Sequence, residues 1–190
     1  AVDLPVRDTL AAGLLTIVAA GSSEQLAELV PAIIAGELLL TPAVAEVGDA
    51  LPASPRTRLS EGLVHGTKVR VPVRDGLLLV ATDTAAVLVD PAGPGVTATT
   101  TPSSSRTPEA SYAFDGAPAV LVLADGSSGI LRDHVVAGAL LEGAGLLAGA
   151  RDLTAGYIAE RVQFGRKLAE FQAVAMQIAD VFVASRMLGL

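Results

Sequence analysis

Three textures of hydrophobic spacing follow one another along the 190 residues. Residues 8–20, DTLAAGLLTIVAA, are almost continuously apolar and predict a buried helix that Gly21 ends. Ser22 then stands three residues ahead of Gln25, the spacing of a capping box. A second helix is expected over Ser23–Ala35, closed by Gly36 and kinked at Pro31. From about 37 to 130 short apolar runs alternate with turn signals: Leu63–Gly66, Leu77–Ala81, Ala86–Val89, Val96–Thr100, Tyr112–Phe114 and Val120–Leu123. This spacing predicts an antiparallel β-domain, a sandwich or a barrel. His65-Gly66 and Asp75-Gly76 are expected as tight turns, and Gly48–Ser60 and Thr100–Glu109 as loops. After 131 the spacing becomes 3 and 4. Val136, Leu140, Ala144, Leu147, Ala150, Thr154 and Tyr157 repeat it, and after a break at Phe164-Gly165 so do Leu168, Phe171, Ala175, Ile178 and Phe182. Two long amphipathic helices joined by a short turn are predicted, so the fold class is α+β, a β-domain inserted between helical blocks.

Composition narrows the chemistry. Apolar residues make up 51% but aromatics only 3%, so the core is built from Ala, Val and Leu. The net charge is −7 and no basic stripe exists, which argues against nucleic acid as a partner. There is no Cys, which excludes disulfides, thiol catalysis and Cys-ligated zinc. His65 and His134 lie far apart without metal-like spacing, so no metal site is expected. Mean hydropathy is +0.55, yet Gly, Pro or charge breaks every apolar run before the roughly 20 residues that a membrane span needs. The first residues show no basic region followed by a cleavage site, so no signal peptide is expected and the location is read as cytoplasmic.

One segment carries specific chemistry. Arg161 stands at a predicted helix end just before a Gly turn, where its planar fork of donors suits bidentate phosphate binding. Gln163 adds an amide donor beside it. The alternative is an Arg that caps the helix C-terminus against its dipole. Phe164 reads as an elbow residue, Gly165 as a turn with special φ/ψ, and Tyr157 as helix packing.

The run Tyr157–Gln172, with Arg161-x-x-Phe164-Gly165 and then Gln172 eight residues after the Phe, resembles the signature of acyl-CoA dehydrogenases. Other parts agree in order. Gly21–Gln25 through Gly36-Glu37 resembles that family's helix and turn before the β-domain. Gly66-Thr67-Lys68 resembles its Gly-x-Lys hairpin, and Val89-Asp90 with Pro94-Gly95-Val96 its strand ending in Pro-Gly-Val. The likeness covers nearly the whole chain but about half of a complete member. It implies the end of an N-terminal helical domain at 1–36, a middle β-domain at 37–130 and the start of a C-terminal helical domain at 131–190.

The resemblance further implies FAD as cofactor, an acyl-CoA substrate, a homo- or hetero-oligomer and an electron-transfer flavoprotein as redox partner. Arg161, Gln163, Phe164, Phe171 and Gln172 would face the FAD of a neighbouring subunit. Asp133 aligns with an acid near the mouth of the acyl-CoA pocket, its alternative being a helix N-cap or first-turn acid. Val136 stands where the family often has Arg. The family's flavin loop, Thr-Glu-Pro then Gly-Ser-Asp, is reduced to Ala45–Ala50, and Arg70 and Pro72 replace an aromatic and a Thr that contact the flavin ring. Pro72 offers neither N–H nor hydroxyl. The family chemistry needs a carboxylate to remove an α-proton while hydride leaves the β-carbon for flavin. Val135 occupies one family position of that base, Glu142 reads as helix surface, and no catalytic residue is assigned. Two functions compete: an FAD-dependent acyl-CoA dehydrogenase, and a non-catalytic partner subunit of a heteromeric one. A plain structural module is the third.

Overall fold

The structure is a computed structural model that describes residues 6–103 and 108–188. It divides into two compact units, up to Gly138 and from Ala139 onward.

The first unit opens with the expected apolar helix, but its first turns are wound wider than an α-helix. Val6–Leu14 is π-helical and passes directly into α1 (Leu15–Ala20). Thr9 anchors the π segment, since its hydroxyl accepts from Leu40 N and donates to Leu40 O, both at 3.1 Å. Helix α2 (Ser23–Ile34) begins on a complete capping box: Ser22 Oγ accepts from Gln25 N at 3.2 Å and Gln25 Oε1 from Ser22 N at 2.9 Å. It runs through Pro31 and ends before Gly36, whose φ is +75°. Leu29 and Ile33, one turn apart, are its buried face.

Eight strands follow: β1 (Leu40–Ala43), β2 (Arg58–Ser60), β3 (Leu63–Pro72), β4 (Leu77–Ala81), β5 (Ala85–Val89), β6 (Val96–Thr101), β7 (Glu109–Pro118) and β8 (Leu121–Asp125). They form two four-stranded sheets, ordered β1-β4-β5-β8 and β2-β3-β7-β6, and the expected sandwich is the form adopted. All pairings in these two sheets are antiparallel except β1 with β4, which is parallel in register Leu40↔Leu77 to Ala43↔Val80. Strand β5 and all of β4 after Leu77 are buried because both faces are covered. Leu79, Ala81, Ala86 and Leu88 face a core shared with Ile17, Leu29, Ile33 and Leu131, and Leu78, Val80, Val87 and Val89 face the second sheet through Val64, Val71, Tyr112 and Phe114. Continuous apolar runs are the pattern that two-sided burial requires.

One of the two expected turns lies inside a strand. His65-Gly66 sits inside β3, at a register shift between Val64 and His65. The slip leaves Gly116 N without a ladder partner, and it donates to His65 Nδ1 at 3.2 Å. Gly66 is needed for close approach: a Cβ there would lie 2.8 Å from Thr57 Cα. Asp75-Gly76 is a bend that carries the chain from one sheet to the other, with Gly76 packed against Leu39 O. Strand β2 occupies the end of the expected loop Gly48–Ser60. Of the expected loop Thr100–Glu109, residues 104–107 lie outside the described residues.

Helix α3 (Ser127–Glu160) starts four residues before the expected position. Its first residues tie it to the sheet, with Ser127 Oγ accepting from Ala86 N at 2.8 Å and Ser128 Oγ from Thr82 N at 2.9 Å. The second unit holds the rest of α3, a two-stranded hairpin of β9 (Val162–Gln163) and β10 (Arg166–Lys167), and α4 (Gln172–Leu188). Arg151 of α3 reaches Phe182 at 5.4 Å and Ser185 Oγ at 3.4 Å, so α4 runs back beside α3. Leu140, Leu141, Leu146, Leu153, Met176 and Phe182 remain exposed. Among the described residues no helix is long and apolar enough to cross a membrane.

At the end of β1 the ammonium of Lys68, with no exposed surface, lies 2.8 Å from Glu46 Oε1 and 3.2 Å from Val44 O. Glu46 also accepts from Arg56 N at 2.9 Å, Thr57 N at 3.0 Å and Thr57 Oγ1 at 2.8 Å. Burial alone would raise its pKa, but the bonds from Lys68, Arg56 and Thr57 outweigh burial and lower it from 4.5 to about 2. Burial pushes the Lys68 ammonium down from its ordinary value, against the pull of Glu46. Because the Glu46 carboxyl titrates lower in the folded chain than in the unfolded one, its stabilisation is complete above about pH 4.5 and is lost as pH falls toward 2. Denaturant unfolding followed from pH 7 downward should show a midpoint that declines through this window, and Glu46→Gln should flatten that decline. Lys68→Ala, which leaves the carboxylate buried without its counter-charge, should cost about 3–5 kcal/mol at pH 7.

Candidate functional site

Helix α3 ends where Arg161 N donates to Tyr157 O at 2.9 Å, and the chain reverses at once. Gln163 pairs with Arg166 and Val162 with Lys167, so Phe164-Gly165 is a two-residue hairpin turn. Both turn residues have positive φ, +54° for Phe164 and +80° for Gly165. A turn of this kind matches the twist of its strands but favours Asn, Asp or Gly at both central positions. Gly165 complies, whereas an aromatic residue at the first position is strained. Phe164 is also 92% exposed, so this chain's own core does not compensate the strain. Its ring meets Phe171 edge-on, centroids 6.3 Å apart, and the Arg166 guanidinium lies over Phe171 at 3.9 Å from the ring centroid.

The hairpin brings together Arg161, Gln163, Phe164 and Phe171, with Gln172 next in sequence as the first residue of α4. Arg161 forms no side-chain hydrogen bond or ion pair among the described residues. It does not cap α3, so its donors are available. Gln163 Nε2 donates to Val162 O at 2.9 Å. Sequence reasoning missed Arg166. The signal was its position two residues after Phe164, directly across the turn from Gln163.

The remaining sequence candidates belong to the first unit, except Glu142. Asp133 is the seventh residue of α3, not its cap or first turn, because the helix starts at Ser127. It is exposed and pairs with Arg132 Nη2 at 2.9 Å. The Ala45–Ala50 segment is a tight turn in which Glu46 and Asp49 exchange backbone bonds of 2.8 and 3.0 Å, and its carboxylate points inward to Lys68. Arg70 sits on the second register shift of β3, between Lys68 and Val71, with φ +57°. It is exposed and without a side-chain partner among the described residues. Glu142 is exposed on α3. Among the described residues no group of His, Cys, Asp or Glu could hold a metal ion.

A β-sandwich between helical segments, followed by a helix that ends in an Arg-x-x-Phe-Gly hairpin, defines the acyl-CoA dehydrogenase class of fold. No family model matches the sequence. The chain is 36% identical over 98% of its length to acyl-CoA dehydrogenase FadE28 of Mycobacterium tuberculosis, of which it covers 56%. Among solved structures, a variant of the Tcur3481-Tcur3483 steroid ACAD superposes with a TM-score of 0.85 at 32% identity, over 96% of this chain and 53% of that one. Butyryl-CoA dehydrogenase from Megasphaera elsdenii shares the fold, with a TM-score of 0.78 at 17% identity over 96% of this chain and 55% of that one. Over almost its whole length the chain is similar to acyl-CoA dehydrogenases, and it spans about half the length of the relatives it matches.

The strain at Phe164 gives a direct check on its role. Phe164→Asn should relax the turn and leave thermal stability unchanged or raised by about 0.5–1 kcal/mol. A fall in melting temperature would mean that Phe164 packs within its own fold.

Proposed function

We propose that this chain is part of an FAD-dependent acyl-CoA dehydrogenase, with 1–36 closing an N-terminal helical domain, 37–130 the middle β-domain and 131–190 opening a C-terminal helical domain. The single observation that carries the reading is the β9–β10 hairpin. It presents Arg161 with unfilled donors beside a strained, exposed Phe164, in a family-matching segment. A phosphate accepts bidentately from such a guanidinium, so these residues fit the phosphate part of the cofactor. In this reading Arg161 and Gln163 hold the pyrophosphate of a neighbouring subunit's FAD, and Phe164, Phe171 and Gln172 line the same cofactor. Flavin, when bound, supplies hydride acceptance from the β-carbon of an acyl thioester. This chain's residues bind and orient, and no carboxylate of it is assigned as the base. Asp133 remains a candidate for the entrance of the acyl-CoA pocket. An electron-transfer flavoprotein would take the electrons, and the cytoplasm is the proposed location. A steroid thioester is the substrate class suggested by the 32% identical steroid ACAD.

A second reading, a partner subunit that lends the hairpin while gripping little flavin itself, is favoured by the β3 bulge. Arg70 takes a left-handed backbone where the family has an aromatic, and Pro72 replaces a hydroxyl donor. These residues do not fit a flavin ring. The absorbance spectrum of the intact protein, alone and with candidate partner subunits, separates the readings: flavin in the isolated protein supports the first, and flavin only in a mixed assembly supports the second.

The exposed apolar residues of α3 and α4 require a cover, which the rest of the chain and neighbouring subunits would provide. Light scattering of the intact protein should give an oligomer, and a soluble monomer would count against the shared cofactor site. Arg161→Ala should weaken FAD retention by about 10- to 100-fold, the worth of a charge-assisted phosphate contact. Flavin bound per assembly at limiting FAD is the readout, and undiminished occupancy would remove Arg161 from the site.

A further inference from the structure

We propose that Arg166 forms, together with Arg161, a two-guanidinium clamp for a ligand diphosphate. The inference rests on the reading of the hairpin as a phosphate-binding element and adds a second cation to it. Its first ground is the register. Gln163 and Arg166 are direct cross-strand partners, and Leu168 N donates to Arg161 O at 2.9 Å, which continues the ladder one pair further. Opposed residues of an antiparallel pair share a face, and so do residues two apart along a strand. Arg161, Gln163 and Arg166 therefore occupy one face of the hairpin, and Val162 and Lys167 the other. Arg161 and Arg166 are diagonal neighbours, about 7–8 Å apart at the backbone and within reach of each other's long side chains.

The second ground is how Arg166 is held. Its guanidinium carbon lies over the Phe171 ring, 3.9 Å from the centroid, a distance at which guanidinium and ring stack. Stacking uses the face of the cation and leaves the in-plane N–H groups free, which are the donors that a phosphate takes two at a time. Neither Arg166 nor Arg161 forms a side-chain hydrogen bond or ion pair among the described residues, whereas Arg56, Arg132 and Arg151 each pair with a carboxylate. Two unpaired cations on one face of an acidic chain repel, and an anion between them removes that repulsion. One arginine balances one charge, whereas a diphosphate brings at least two.

Equilibrium binding of FAD, ADP and riboflavin to the intact protein, in its assembly with any partner subunit, tests the clamp. Arg166→Gln should weaken FAD and ADP by about 10- to 100-fold. It should leave riboflavin, which has no phosphate, unchanged, and make FAD binding less sensitive to salt. Arg166→Lys keeps the charge without the fork and should restore the salt sensitivity but only part of the affinity. Equal losses for riboflavin and FAD would make Arg166 a packing residue for Phe171 and overturn the clamp. Full FAD and ADP affinity in Arg166→Gln, beside a loss in Arg161→Ala, would overturn it too while leaving the reading of Arg161 intact. Unchanged affinity in both variants would remove the phosphate reading of the hairpin itself.

Discussion

An ammonium with no access to water must find its counter-charge inside the protein, and the position of Lys68 governs much of the sandwich around it. Glu46 answers it from the turn after β1, and to do so the turn must fold back on itself through the Glu46–Asp49 bonds. The same carboxylate collects the backbone of Arg56 and Thr57, which brings the long segment before β2 against Gly66 closely enough that no side chain fits there. Val69 N donates to Ala45 O, so two successive residues of β3 are committed to the end of β1. The ladder to β7 resumes only at Val71, and the intervening bulge is where Arg70 turns left-handed. Replacing both members of such a pair by apolar residues can be neutral, whereas losing one is expensive. Its part in this fold is to select the register of β3.

The β3 bulge and the β9–β10 hairpin, each considered under the proposed function for its fit to flavin, are built on opposite principles. On the β3 side the family's donors are absent, and the carboxylate of the reduced loop is spent inward on Lys68. On the hairpin side the guanidinium donors of Arg161 and Arg166 are unspent among the described residues, and Phe164 keeps a strained backbone while almost fully exposed. A residue held in an unfavourable conformation while exposed makes sense where a second molecule completes its surroundings.

Much of this was legible in the sequence where local chemistry decides the structure. The Ser22–Gln25 capping box, the Gly36 stop and the continuous runs of β4 and β5 each follow from neighbours in the chain. What stayed hidden was decided from a distance. β1 carries a Pro and a Thr and becomes a strand because β4 pairs with it. Gly66 resembles a turn residue, but Thr57, on the strand-less segment before β2, is what demands a glycine there. The π-wound Val6–Leu14 segment is tied by Thr9 to Leu40, 31 residues on. At the hairpin, Arg161 was readable from its motif, but the stacking of Arg166 on Phe171 needs the three-dimensional turn to bring them together.

The parallel pairing of β1 with β4 sets an order of events. Leu40 meets Leu77, so the segment between them, including β2 and β3, must leave for the other sheet and return before the two strands can join. Such a closure loses chain entropy before any contact rewards it, and parallel pairs separated by a long excursion form slowly. On a ribosome, β1 would emerge and wait unpaired until β4 had been synthesised and cleared the exit. The π segment docked on Leu40 through Thr9 gives that waiting strand a partner from the chain already made.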